Sequence, residues 1–236
     1  MREELQRTAL LLDELSLQKI QSSKVAVFGI GGVGSYVVEA LARAGIGSFI
    51  LVDHDLVSIS NINRQLIALH STVGRPKVIV AKERILDVNP NASVEARQEF
   101  YLPGQNNSFL SGCSYIVDAI DTVASKLALV EAAEKTGLPI LSSIGTGNKL
   151  DPSRFQIGDI YDTSVCPLCR VMRRELRNRG ITHHTVLFSD EVPISPLPLE
   201  APPPGRRSIP ASLSWVPSCA GLMLGGYVVR DLLGVL

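Results

Sequence analysis

Three glycines, Gly29, Gly31 and Gly34, stand at G-x-G-x-x-G spacing in KVAVFGIGGVGS, residues 24–35, with Gly32 between them. A turn of this kind between a strand and a helix turns unpaired backbone N–H groups and the positive end of a helix dipole toward a phosphate. Asp53 ends the next apolar run, about 20 residues on, where a carboxylate can bind ribose hydroxyls. To this point a dinucleotide and a nucleoside triphosphate fit equally well.

The segment DHDLVSISNINRQ, residues 53–65, separates the two. It gathers Asp53, Asp55, Asn61, Asn63, Arg64 and Gln65 in one loop, and Lys77 follows at the start of a helical pattern in VGRPK. A triphosphate needs cations along its chain, which Arg64 and Lys77 can supply; a dinucleotide leaves them without an obvious phosphate. Further on, VDAID ends a strand with Asp118 and Asp121 at the same edge. A carboxylate there suits Mg²⁺, which takes one or two carboxylates together with phosphate oxygens. Singly, Arg64 and Lys77 read as solvated charges and Asp121 as a helix N-cap. Jointly, at the carboxyl ends of consecutive strands, they predict ATP and Mg²⁺.

These residues need an alternating scaffold to bring them together. KVAVFGI, SFILVDHD, SVEARQE, YIVDAID and PILSSIG read as strands; GSYVVEALARAG, RPKVIVAKERILDVN and SKLALVEAAEKTG read as the intervening helices. Asn89-Pro90 and Gly137 supply stop signals. The alternation predicts an α/β fold with a doubly wound, mainly parallel, Rossmann-like sheet. Residues 5–20 carry apolar positions at helical spacing ahead of the first strand. After about residue 150, FQIGDIY and TVLFSDE read as strands, CPLCRVMRRELRNRG as a helix, 193–210 as a proline-rich surface loop, and the apolar C-terminus as a buried closing helix. We therefore expect one domain over 1–236, with a nucleotide-binding core at about 20–150 and a substrate-side extension of the sheet at about 151–236.

A chain of 236 residues, 45% hydrophobic and with zero formal net charge, supports a sizeable core and excludes a globally basic surface. The N-terminus has no secretory pattern, and Arg230 and Asp231 interrupt the apolar tail, so no integral membrane association is expected. Four cysteines in an enzyme of this size suggest reduced thiols and a cytoplasmic location. Cys166 and Cys169 form a single C-x-x-C pair; His183 and His184, being adjacent, depart from the usual His spacing of zinc sites, so two packed thiols are expected. In the same helix Arg170, Arg173, Arg174 and Arg177 fall at i, i+3, i+4 and i+7, on one face. Such a stripe reads as a solvated face or as a phosphate-backbone contact, to which Arg206 and Arg207 in the proline-rich loop would add.

GIGGVGS, DHDLVSISNINRQ, VGRPK and DAID together resemble the motif set of the ubiquitin-activating enzyme superfamily, which includes bacterial sulfur-carrier adenylyltransferases. The resemblance covers about residues 5–145 and implies adenylation of a carboxylate by ATP. It implies that Asp53 holds the ribose, that Asn61, Arg64 and Lys77 hold phosphates and that Asp121 takes Mg²⁺. It further implies a homodimer in which Arg7 reaches the partner's phosphates. The later segments GDIYDTSVCPLCRVMRRELRNRGI, SDEVP and SLSWVPSCAGLMLGGYVVRDLL are similar to the tRNA threonylcarbamoyladenosine dehydratases. That likeness implies a tRNA-modifying adenylating cyclase acting on tRNA that bears threonylcarbamoyladenosine, and leaves room for a sulfur-transfer or desulfurase-type protein partner. The rival expectations are a sulfur-carrier adenylyltransferase, an NAD-dependent oxidoreductase and a non-catalytic nucleotide-binding scaffold.

Overall fold

The computed structural model describes residues 3–197 and 210–236. Arg206, Arg207 and most of the proline-rich stretch lie outside the described residues. In chain order the elements are α1 (Gln6–Ala9), α2 (Glu14–Ser22), β1 (Lys24–Phe28), α3 (Gly34–Ala44), β2 (Ser48–Val52), α4 (Lys77–Val88) and β3 (Ser93–Arg97). They continue with β4 (Tyr115–Asp118), α5 (Val123–Thr136), β5 (Ile140–Ser143), β6 (Phe155–Asp159), α6 (Pro167–Asn178), β7 (Thr185–Ser189) and α7 (Trp215–Leu233).

The seven strands form one sheet in the order β3-β2-β1-β4-β5-β7-β6. Every neighbouring pair is parallel except β6 with β7. The expected doubly wound sheet is thus present, and the extension completes it through β7 and an antiparallel edge strand. The strand order reverses between β1 and β4, which makes the crevice beyond their carboxyl ends the place where such sheets bind ligands.

Alternation along β1 sends successive side chains to opposite faces. Val25 and Val27 join a core with α3, α4 and α7, while Ala26 and Phe28 join a second core with α5. A third cluster packs Leu127 and Val130 of α5 against Met172 and Leu176 of α6. Burying each of these larger side chains contributes about 1.5–3 kcal/mol before conformational entropy is set against it. The helix stops work as the sequence indicates, with Gly45 and Gly137 in left-handed conformation after α3 and α5.

The closing helix α7 lies against α3 because two glycines let the backbones approach. A Cβ at Gly221 would sit 2.4 Å from the Val33 carbonyl oxygen, and one at Gly225 would sit 2.6 Å from Ala40 Cβ. Asp231, which interrupts the apolar tail, accepts a 2.7 Å hydrogen bond from the Tyr115 hydroxyl. No helix among the described residues is long and apolar enough to cross a membrane.

Candidate nucleotide site

The glycine turn after β1 is shaped by contacts no side chain could share. Gly29 has φ +83°, and a Cβ there would lie 2.7 Å from the Ala119 carbonyl oxygen. A Cβ at Gly34 would lie 1.7 Å from the Gly29 carbonyl oxygen. Gly31 differs: its Cβ would meet only the Gln65 amide nitrogen, at 3.9 Å. The protein's own packing therefore explains Gly29 and Gly34 and leaves the space beside Gly31 clear for a ligand's approach. The entry to α7 borders the same turn, with Pro217 beside Gly32 and the Asn63 amide donating to the Ser212 carbonyl at 3.1 Å.

Asp53, one residue past β2, is buried. Its Oδ2 accepts from the Ile30 N–H at 2.6 Å and its Oδ1 from the Asp55 N–H at 2.8 Å. It orders the glycine turn and the following loop together, and its remaining lone pairs are what a ribose could use. Asn61 is also buried; its Oδ1 accepts from the Ser58 N–H and caps the short helical turn Ile59–Asn61. Gln65 is 6% exposed, and its side-chain oxygen is buried with no hydrogen-bond partner among the described residues. The other end of this side chain, the Gln65 amide nitrogen, is the atom that faces Gly31, and it is the end that can donate to a phosphate oxygen.

The two predicted cations sit in this loop cluster. The Arg64 stem passes 3.5 Å from where a Gly32 Cβ would be, and its guanidinium donates to the Ser60 carbonyl at 3.0 Å and to Asn63 Oδ1 at 2.9 Å. Burial lowers the Arg64 pKa. Lys77 opens α4 and is buried, its Nζ 2.6 Å from Asp55 Oδ2. His54 Nε2 lies 3.1 Å from the other Asp55 oxygen, and the Asp53, His54 and Asp55 ligand atoms cluster within 4.8 Å. The Lys77 ammonium already serves Asp55, so this acidic group does not call for a metal of its own.

The structure separates the two acids of VDAID. Asp121 is exposed in the turn between β4 and α5, close after the Ala119 carbonyl that abuts Gly29. The N-cap of α5 is Thr122, so Asp121 does not hold the capping position. Asp118 does not face the ligand edge. Its carboxylate is fully buried, with Oδ2 accepting from Lys126 Nζ at 2.9 Å and from Ser142 Oγ at 2.7 Å, and Oδ1 from the Ile120 N–H at 3.0 Å. Lys126 also donates to the Ser143 carbonyl, and His184 Nε2 lies 2.9 Å from Ser142 Oγ. Burial pushes the His184 pKa down to about 4, which keeps the ring neutral at pH 7. This network fixes the β4–α5 turn from below. Lys126 in the apolar run SKLALV was the one sequence signal for it.

Arg7 is exposed on α1 and lies at the far end of α3 from the glycine turn. The preceding Glu4 and Leu5 border a hollow shared with Gly45 and Asn89, beyond the C-terminal ends of α3 and α4. An eleven-residue helix is about 16 Å long, so Arg7 is not part of its own chain's cluster.

On α6 the buried side is Cys169, Met172 and Leu176, and the arginines lie off it. Arg170, Arg174 and Arg177 are exposed, whereas Arg173 is half-buried and donates to Thr163. Arg174 pairs with Glu175 at 2.9 Å, and the Arg177 guanidinium stands 5.0 Å over the Tyr161 ring. Cys166 and Cys169 are buried, as expected of packed thiols.

A model of the ThiF family matches residues 5–235. The chain belongs to the ThiF family. Among ThiF-type relatives it is 45% identical to a tRNA threonylcarbamoyladenosine dehydratase of Bacillus subtilis, over 96% of this chain and 93% of that protein. It is 40% identical to the Escherichia coli protein of the same name over 72% of this chain, a segment spanning 64% of that protein. An E. coli sulfur carrier protein ThiS adenylyltransferase is 30% identical over 60% of this chain and 58% of that protein. Among solved structures, E. coli tRNA N6-threonylcarbamoyladenosine dehydratase in complex with ATP superimposes with a TM-score of 0.89 at 31% identity, over 99% of this chain and 95% of that one. The ThiF architecture found here, with its mostly parallel sheet, is the expected Rossmann-like α/β fold.

Proposed function

We propose that the protein is an ATP-dependent tRNA threonylcarbamoyladenosine dehydratase. The observation that carries this reading is the 45% identity to the B. subtilis dehydratase across 96% of the chain, which includes the extension as well as the nucleotide core. The similarity to the sulfur-carrier adenylyltransferase reaches only 60% of the chain.

The substrate's threonyl carboxylate attacks the α-phosphate of ATP, forming an acyl-adenylate and releasing pyrophosphate. A group already on the same nucleoside then attacks the activated carbonyl, closes a ring and expels AMP; the nucleoside loses one water in all. Ring closure has the advantage of an intramolecular attack, so no protein nucleophile is needed. In this reading the glycine-turn N–H groups and Gln65 receive phosphate oxygens, and Arg64 and Lys77 balance the charge that develops on the leaving pyrophosphate. Asp53 holds the ribose, the Asn61 amide adds to the phosphate contacts, and Asp55 keeps Lys77 in place. The oxygen donors at this edge, the Asp121 carboxylate and the phosphates themselves, are the kind of set Mg²⁺ takes, so Asp121 would hold it. Mg²⁺ there would neutralise phosphate charge.

The position of Arg7 at the far end of α3 supports a homodimer in which Arg7 serves the partner's site. The exposed arginines of α6, with Arg206 and Arg207, are the proposed tRNA contacts. A cytoplasmic location accords with a tRNA substrate.

The test is to incubate the protein with ATP, Mg²⁺ and tRNA bearing threonylcarbamoyladenosine, and to follow that nucleoside by mass spectrometry. Loss of one water with release of AMP is expected. An unchanged nucleoside, with AMP transferred instead to a carrier protein's C-terminus, overturns the reading. Arg64→Ala and Asp121→Ala should each lower AMP formation at least about 100-fold, the scale of losing one transition-state charge contact.

A further inference from the structure

Trp215, the one tryptophan in the chain, opens α7 with 49% of its surface exposed. An exposed apolar side chain alone means little. This one is pinned at its polar end: the indole N–H donates to the Leu150 carbonyl at 2.8 Å, so the rest of the side chain is an apolar ring with no polar need of its own. The mounting is fixed on both sides. The Leu150 N–H donates to the Glu191 carboxylate at 2.9 Å, and Ala211, ahead of the helix, exchanges two hydrogen bonds with Asn148, at 2.7 and 2.8 Å. Two residues beyond Trp215, Pro217 Cβ lies 3.2 Å from where a Gly32 Cβ would be, and Arg64 Cγ lies 3.5 Å from the same point. The pinned ring therefore borders the phosphate turn.

Its place along the sheet edge decides which substrate it can serve. Asp53 follows β2, the glycine turn follows β1, and Leu150 follows β5, with β1 and β4 lying between β2 and β5. A nucleotide with its ribose at Asp53 and its phosphates at the turn leaves Trp215 on the other side. That is the side from which a second substrate brings its carboxylate to the α-phosphate. In the proposed reaction this carboxylate hangs from a nucleobase. An RNA base presented to an enzyme leaves its own stack, and an aromatic side chain takes the place of its neighbours.

We infer that Trp215 is the platform on which the adenine base bearing the threonylcarbamoyl group stacks; the inference rests on the dehydratase reading. Stacking fixes the plane of the base, and with it the direction in which the carboxylate projects toward ATP.

With a single tryptophan, the emission of the whole protein reports this position alone. Titration with tRNA bearing threonylcarbamoyladenosine is expected to quench it to saturation. ATP alone should quench it far less, and tRNA with an abasic residue in place of that nucleoside should bind without quenching. Trp215→Leu and Trp215→Phe both lose the hydrogen bond to Leu150, but only phenylalanine keeps an aromatic face. Trp215→Leu should lower kcat/KM for tRNA by about tenfold or more at unchanged ATP affinity, and Trp215→Phe should recover most of that loss. Equal losses in the two variants, a parallel fall in ATP affinity, or equal quenching by ATP alone or by the abasic tRNA overturns the proposal. A wild-type protein that dehydrates the nucleoside with no change in emission keeps the dehydratase reading and loses the platform. One that neither dehydrates it nor responds to tRNA loses both.

Discussion

Lys77 Nζ lies 2.6 Å from Asp55 Oδ2, and the ammonium side of this pair is 6% exposed while the carboxylate side is 48% exposed. The pair joins the start of α4 to the loop after β2. The carboxylate keeps a buried cation satisfied while no anion is bound, and incoming phosphates offer the same cation a second partner. Asp55→Asn leaves the ammonium with a weaker acceptor, a cost of about 1–3 kcal/mol in the ligand-free protein. Thermal unfolding should show Asp55→Asn melting several degrees below wild type, with saturating ATP removing most of that gap. A gap that ATP does not change would mean that Lys77 never exchanges its partner.

The glycines of the turn make separable predictions. Gly34→Ala drives a Cβ to 1.7 Å from the Gly29 carbonyl oxygen and Gly29→Ala adds a strained φ, so both should unfold or markedly destabilise the protein. Gly31→Ala meets only the Gln65 amide at 3.9 Å. It should leave the melting temperature within about two degrees of wild type, a change under about 1 kcal/mol for a chain of this size. ATP affinity, measured by calorimetry, should nevertheless fall at least about tenfold, because the methyl group stands where the phosphates approach. Unchanged affinity would remove the phosphates from this position.

Burial holds His184 at about 4, well below the ordinary histidine value, and that shift sets a pH dependence of stability. Between pH 4 and 6.5 the unfolded chain binds a proton at this residue that the folded chain does not. The contribution of neutral His184 is therefore complete above about pH 6.5 and is lost as pH falls toward 4. Its full size is about 3 kcal/mol. Denaturant unfolding of wild type and His184→Asn across this range should show a stability difference that shrinks as pH falls. A difference independent of pH would show that the ring is not what titrates.

The turn, its flanking strand and helix, and the charged loop were legible because each signal is local. An apolar strand, a glycine series and a helix follow one another in 24–44, and Asp53 and Lys77 flank the loop that joins β2 to α4. Asp118 was not legible. Its distant partners, Lys126 and Ser142, come from α5 and β5, and only the order β4-β5-β7 brings His184, the residue before β7, onto Ser142. From the sequence, Asp118 and Asp121 look alike; the fold gives one of them a buried lysine and leaves the other at the ligand edge. Arg7 illustrates the same limit, since its distance from the turn depends on which end of α3 the N-terminal segment meets.

The α6 arginines show equal spacing in sequence and unequal surroundings in the fold, which divides their expected effects. Arg173 is tied to Thr163, so Arg173→Gln should lower thermal stability through the lost hydrogen bonds rather than act on tRNA alone. Arg174 shares its charge with Glu175. Arg170 and Arg177 are exposed and have no carboxylate partner among the described residues, so they are the best placed to meet phosphates. The double substitution Arg170→Gln, Arg177→Gln should leave folding and ATP binding intact and weaken tRNA binding uniformly across tRNA sequences. Removing two phosphate contacts should also reduce the slope of log affinity against log salt by about 1–2. Filter binding between low and moderate salt measures both quantities. An unaltered slope would place the tRNA backbone on another face of the protein.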